Sequence, residues 1–187
     1  MEHKKTDLRV IRTKKSIRDA FYAMILEMDY QDITIKELTN RAMINRNTFY
    51  LHYETIDALF DELVDELSQL FIQQDISYRN IGDIKRLMKI FFETPNRNPV
   101  HERILVCDSY RFIYERVNKK IMDHRKKTQR GAFDIDVTRE SLVFTYYGEI
   151  VGILYRQWVQ DGKKLPLEDA LDLATKLVCN GMESVIK

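Results

Sequence analysis

The sequence predicts an all-α protein of about nine helices, and three observations carry the prediction. Apolar residues recur at spacings of three, four and seven along most of the chain, the period of helices buried on one face. Its 187 residues include only six Gly and three Pro, so helix breakers are scarce and long loops are few. No stretch alternates apolar and polar residues at the strand period, and no internal repeat or low-complexity tract breaks the pattern.

The first helix is expected from Thr6 to Met28, where Val10, Ile17, Phe21, Met24, Ile25 and Met28 form one stripe behind a basic end. DYQDI ends that pattern and TIKELTNRA restarts it. Thr34 is placed to cap the second helix, Glu37 three residues on completes a capping box, and the helix stops near Ala42. After Met43 and Ile44, Asn45 caps a third short helix that reaches about Leu51. Two short helices joined by three or four residues make a helix-turn-helix. A fourth helix runs from about Thr55 toward Gln74, with Ile56, Leu59, Phe60, Leu63, Leu67, Leu70 and Phe71 on its apolar side. Its acids Asp57, Asp61, Glu62, Asp65 and Glu66 read as a solvated face rather than a catalytic or metal site.

The polar stretch DISYRNI, residues 75–81, marks the boundary to a second helical body. Ile84, Leu87, Met88, Phe91 and Phe92 predict a helix that stops before Pro95, because proline disfavours helical geometry in the residue before it. NRNPV reads as a loop, with Pro99 opening the next helix. Helical spacing continues from Ile104 to Ile121 with a break near Cys107-Asp108-Ser109, and a charged connector, DHRKKTQRGAFDID, follows. The last two helices are expected at Val137–Gln160, ending before Asp161-Gly162, and Leu167–Ile186, starting after Pro166.

With 44% hydrophobic and 32% charged residues, the composition is that of a compact protein. No run approaches the roughly 18 apolar residues that span a bilayer, and MEHKKTDLRVIRTKK lacks the apolar block of a secretory signal, so the cytoplasm is the expected compartment. Cys107 and Cys179 have neither a C-x-x-C partner nor a His at metal spacing and are expected as reduced, buried thiols. His101 and His124 are isolated and read as surface residues; no metal site is expected. No nucleophile-base motif, metal constellation or glycine-rich phosphate loop suggests an enzyme. The net charge is only +1, yet residues 1–18 hold seven cations (Lys4, Lys5, Arg9, Arg12, Lys14, Lys15 and Arg18) against Glu2 and Asp7. One end of the molecule is therefore electropositive.

INRNTFYLHY, residues 44–53, mixes aromatics with Asn and Arg within a few turns. On a helix at 100° per residue, Phe49 and Tyr53 point together onto the first two helices. Asn47, Thr48 and Leu51 point away from that core, and Arg46, Tyr50 and His52 flank them. A major groove accepts one α-helix, whose first residues reach base edges while neighbours grip phosphates. Arg suits guanine, Asn suits adenine, and Thr can bond a base or touch a thymine methyl. The candidate DNA-binding set is Thr34, Lys36, Asn45, Arg46, Asn47, Thr48, Tyr50 and His52, with Thr34 and the free N–H groups beside it as a phosphate clamp.

The stretch TIKELTNRAMINRNTFYLHYETIDAL resembles the DNA-binding signature of the TetR family of bacterial transcriptional regulators. The family's landmarks appear as Tyr30, Thr34, Ala42 and Phe49-Tyr50-Leu51-His52-Tyr53, with Ala58-Leu59 opening the fourth helix. The resemblance covers about residues 7–75; beyond them it extends only to helical character and length. Two positions depart from it. Met43 stands where the family usually has Gly in the turn, and Ile56 where it typically has a phosphate-touching Lys.

The resemblance implies a DNA-binding domain at 1–54 and a ligand-binding and dimerisation domain at 55–187, with a helix at 55–75 joining them. It also implies a homodimer on a palindromic operator in double-stranded DNA, with reading helices one DNA turn, roughly 34 Å, apart. The last two helices would meet a second copy through Gly148, Gly152, Tyr155, Arg156, Leu171, Leu177 and Val178, though the two glycines fit an intramolecular contact equally well. No cofactor is expected. A small-molecule inducer is implied without any residue assigned to it, since the aromatics of the second body fit a core. The leading reading is a ligand-responsive repressor; the alternative is an architectural or protein-interaction DNA-binding dimer without a small-molecule switch.

Overall fold

The structure, a computed structural model, describes residues 8–74, 80–128 and 135–183. The cations Lys4 and Lys5, most of the boundary at 75–81, the middle of the charged connector and Val185-Ile186 lie outside the described residues. Among the described residues there are nine α-helices, two short 3-10 turns and no strand. The chain divides into two compact units, Met1–Val64 and Asp65–Lys187, with the dividing point inside the fourth helix.

The first unit holds α1 (Leu8–Glu27), α2 (Ile35–Arg41), α3 (Arg46–Tyr50) and the start of α4 (Ile56–Ile72). Its core gathers Ile17, Phe21, Met24 and Ile25 of α1 with Leu38, Phe49, Leu59 and Phe60, all almost fully buried. Phe21 meets Phe60 edge-on at 4.7 Å, a favoured aromatic geometry. Thr34 caps α2 by accepting from the Glu37 backbone N–H at 3.2 Å. The other half of the expected capping box does not form. Glu37 instead accepts from Arg41 Nε at 2.8 Å, and Arg41 also binds Glu27 at 2.5 Å, so the acid secures the end of its helix rather than the start.

The turn between α2 and α3 is a Schellman closure, in which Met43 N–H donates to Asn40 O and Ile44 N–H to Thr39 O. That geometry requires a left-handed residue, normally glycine, and Met43 supplies it at φ 53°. Its side chain is 91% exposed and packs on nothing that would offset the strain.

The second unit comprises the end of α4 with α5 (Ile81–Arg97), α6 (Pro99–Val106), α7 (Arg111–Thr128), α8 (Val137–Gln160) and α9 (Leu167–Glu183). Helix α5 does not stop before Pro95 but runs two residues past it. Pro95 is buried, and the apolar contact outweighs the bond lost at Phe91 O, which has no proline N–H to receive. Asn98 then ends α5 and caps α6, accepting from Val100 and His101 N–H at 3.0 and 3.3 Å. The break near Cys107 is a 3-10 turn at Asp108–Tyr110.

An interlocked aromatic group fills the middle of this unit, with Phe92 5.2 Å and Trp158 5.5 Å from the ring of Tyr155, both edge-on. Helix α8 ends in a second Schellman closure, with Gly162 at φ 75° and Lys163 at φ 53°. The Lys163 ammonium binds Glu102 at 2.6 Å and Asn96 at 2.9 Å. The Tyr155 hydroxyl donates to the same carboxylate oxygen at 2.8 Å. Cys107 is half-buried, Cys179 is buried, and neither forms a disulfide.

Candidate nucleic-acid interface

Helix α3 is only five residues long, too short to hold itself in water, so its shape comes from its cap and its anchors. Asn45 Oδ1 accepts from the Thr48 N–H at 2.7 Å and from the Thr48 hydroxyl at 3.0 Å. Phe49 is fully buried and Tyr53 nearly so, their rings 5.8 Å apart. Tyr53 donates to Glu62 at 3.0 Å, and the Lys14 ammonium lies 5.3 Å from the ring centre. Burial first, then the neighbouring Glu62 carboxylate, pushes the Tyr53 phenol well above its ordinary pKa, so it remains a neutral donor.

With Phe49 and Tyr53 inward, Arg46, Asn47 and Tyr50 are exposed on the other face. The side chains of Arg46 and Asn47 make no hydrogen bond or ion pair among the described residues. Thr34 and Lys36 are exposed at the start of α2, and His52 is half-buried. Asn45 and Thr48 differ from the rest of the predicted set, because their polar atoms are engaged with each other in the cap. Leu51, 81% exposed beyond the end of α3, is a large apolar side chain on the same segment that the predicted set omitted. Its position in the helical wheel was the available signal.

The residues expected at a dimer contact separate into two groups. Gly148, Gly152, Tyr155 and Val178 are buried within the unit and face neighbours of their own chain. A Cβ on Gly152 would overlap the Tyr114 hydroxyl of α7, and one on Gly148 would meet Asn118 Oδ1 at 3.0 Å. The Tyr114 hydroxyl donates to Gly148 O at 3.0 Å, so the glycine pair admits a tyrosine between α7 and α8. Arg156 Nε donates to Leu105 O at 3.1 Å, again within the unit. Leu177 is exposed and Leu171 half-buried, and the outer faces of α8 and α9 expose Leu142, Tyr146, Ile153 and Leu173 as well. Beside them an open groove of about 470 Å³ is lined by Leu154, Trp158, Leu165, Leu173 and Leu177.

A second cavity, of about 60 Å³, lies among the end of α4, α5, α6 and α7. His101 lines it and is half-buried rather than on the surface as expected, because α5 and α7 pack against α6. His124 is exposed. Among the described residues no group of three or more His, Cys, Asp or Glu side chains could hold a metal ion. No helix among them is long and apolar enough to cross a membrane.

No family model matches the chain. Among curated proteins, an uncharacterized HTH-type transcriptional regulator, YxbF of Bacillus subtilis, is 36% identical over 64 residues. That match spans 34% of this chain and 17% of the relative. Solved structures are similar over nearly the whole length. A TetR transcriptional regulator from Streptococcus agalactiae superposes with a TM-score of 0.64 at 21% identity, over 92% of this chain and 96% of its own. NalD, the secondary repressor of the MexAB-OprM multidrug efflux pump in Pseudomonas aeruginosa, gives 0.68 at 15% identity, over 91% and 95%. The chain has the all-helical fold of TetR-type regulators.

Proposed function

We propose that this chain is a sequence-specific DNA-binding transcriptional regulator that acts in the cytoplasm as a homodimer on a palindromic operator. The observation that carries the reading is the division of labour on α3. Phe49 and Tyr53 are inside, while Arg46, Asn47 and Tyr50 are exposed and the first two are uncommitted. A helix held rigidly by its cap and anchors, with free Arg and Asn at its first turn, suits reading guanine and adenine edges in a major groove. Thr34, Lys36 and His52 fit phosphate contacts that set register without specifying sequence. Within the first two turns, Asn45 and Thr48 serve the cap, and their contribution is to hold Arg46 and Asn47 in place.

Dimerisation rests on Leu142, Tyr146, Ile153, Leu173 and Leu177, a run of exposed large apolar side chains on two adjacent helices beside an open groove. A second copy of the same face would cover them. The similar NalD is a repressor by its description, and repression with ligand-controlled release is the reading we adopt for this chain. Selection of bound sequences from a random pool of DNA duplexes tests the proposal. An inverted repeat with half-sites about one helical turn apart is the expected product. Recovery of no preferred sequence would favour the architectural reading instead.

A further inference from the structure

The small cavity of the second unit has a property that packing does not account for. Nδ1 of His101 is buried and has no hydrogen-bond partner, in a wall otherwise built largely from Phe71, Phe91, Pro95, Ile104 and Tyr114. Buried polar atoms are nearly always satisfied, so an orphan at a cavity wall indicates a missing partner.

The chemistry of that partner is narrowly constrained. No Lys, Arg, Asp or Glu lines the cavity, so an ion would lose its hydration with no counter-charge to replace it. Tyr114 is committed to Gly148 O, and the amide nitrogen of Asn118 donates to Glu149 at 3.0 Å. His101 is held neutral because burial lowers its pKa against the pull of Glu66. In the tautomer that carries its one proton on Nε2, the form the proposal takes, a neutral imidazole leaves Nδ1 as a bare acceptor.

We propose that this cavity binds a neutral, mainly apolar molecule whose hydroxyl, of phenol or alcohol type, donates to Nδ1 of His101. The inference rests on the ligand-responsive reading above and supplies its ligand class. At about 60 Å³ the space is below the roughly 150 Å³ of a cavity that takes up benzene, so a ring needs more. Phe71, half-buried with its ring centre 5.8 Å from that of Phe91, is the part of the wall whose displacement admits a ring.

The test is calorimetric titration of the full chain with 4-ethylphenol, 4-ethylanisole and ethylbenzene, which differ in having a donor, only an acceptor, or neither. The phenol is expected to bind about tenfold more tightly than the other two, the worth of one neutral hydrogen bond. His101→Phe should abolish that preference, and His101→Gln, which keeps an acceptor, should retain most of it. Equal affinities, as a resident water on Nδ1 would give, overturn the proposal. So do a preference for the ether, no binding of any probe, or a preference that survives in His101→Phe. The comparison needs no DNA. Phenol binding with the stated preference but without release of a selected duplex would refute ligand-controlled release while upholding the site.

Discussion

The hydroxyl of Ser16 donates to the carbonyl oxygen of Ala42 at 2.8 Å, tying α1 to the residue that ends α2. Carbonyls at a helix end have no partner within the helix, and this one is satisfied from another helix just before the turn. Met43, the next residue, carries the left-handed strain of that turn. Ser16→Ala should therefore cost about 1 kcal/mol in urea unfolding and weaken DNA binding through misplacement of α3.

Met43→Gly should act in the opposite direction. A left-handed residue with a Cβ costs roughly 1–2 kcal/mol, and the extra freedom of glycine in the unfolded chain returns roughly 0.5–1. Little packing is lost at a side chain so exposed, so a net gain of up to about 1 kcal/mol is expected in the same melt. A loss of stability would mean that Met43 has a contact the structure does not show.

Arg46→Ala and Asn47→Ala should leave the melt unchanged and relax base preference at single operator positions, by about 1–3 kcal/mol each. Phe49→Ala should instead destabilise the first unit by roughly 3–5 kcal/mol, because it empties a fully buried aromatic site. Binding of a selected duplex and of point-changed duplexes, compared with circular dichroism melts, separates the two classes.

Gly152→Ala should lower stability by about 1–3 kcal/mol through overpacking against Tyr114. Because the clash lies inside one chain, its effect on the melting temperature should not depend on protein concentration. Tyr114→Phe should rescue it only in part, since the ring carbon that carries the hydroxyl remains 2.8 Å from the added methyl.

Ile153→Glu and Leu177→Glu place charge on exposed apolar positions and should shift the sedimentation equilibrium toward monomer while leaving the fold intact. Weakened operator binding with no change in association would remove these residues from the dimer contact.

His101 links stability to pH. Its folded pKa lies below the ordinary histidine value because burial opposes the charge, with Glu66 pulling the other way. The stabilisation is complete above the unfolded value of about 6.5 and is lost as pH falls through the lower folded value. The wild-type protein should thus lose more stability between pH 7 and pH 5 than His101→Gln does.

Helix positions were legible where local chemistry decides them. Thr34 and Asn45 cap where their side chains and following residues require, and α8 runs from Val137 to Gln160 between an Asp cap and a Gly closure. Pro95 was misread because a rule about the local backbone was overridden by burial, which depends on partners distant in sequence. The glycines of α8 showed that something approaches closely, and spacing cannot tell a tyrosine of the same chain from a second copy. His101 looked isolated for the same reason: its cavity is assembled from four helices. On α3 the inner and outer faces followed from helical geometry, while the commitment of Thr48 to its own cap required atomic positions.

Met43 and Lys163 share a φ of 53° at the same kind of helix closure, yet they should tolerate mutation very differently. At position 43 almost any side chain is held in the turn against its preference and anchored by nothing, so drift toward glycine meets no opposition from packing. At position 163 the same backbone strain is matched by an ammonium bound to Glu102 and Asn96 and resting 5.4 Å from the Trp158 ring centre. Glycine there would relax the backbone but leave a half-buried carboxylate with the Tyr155 hydroxyl and no counter-charge, so a saturation library should recover many residues at the first position and few at the second.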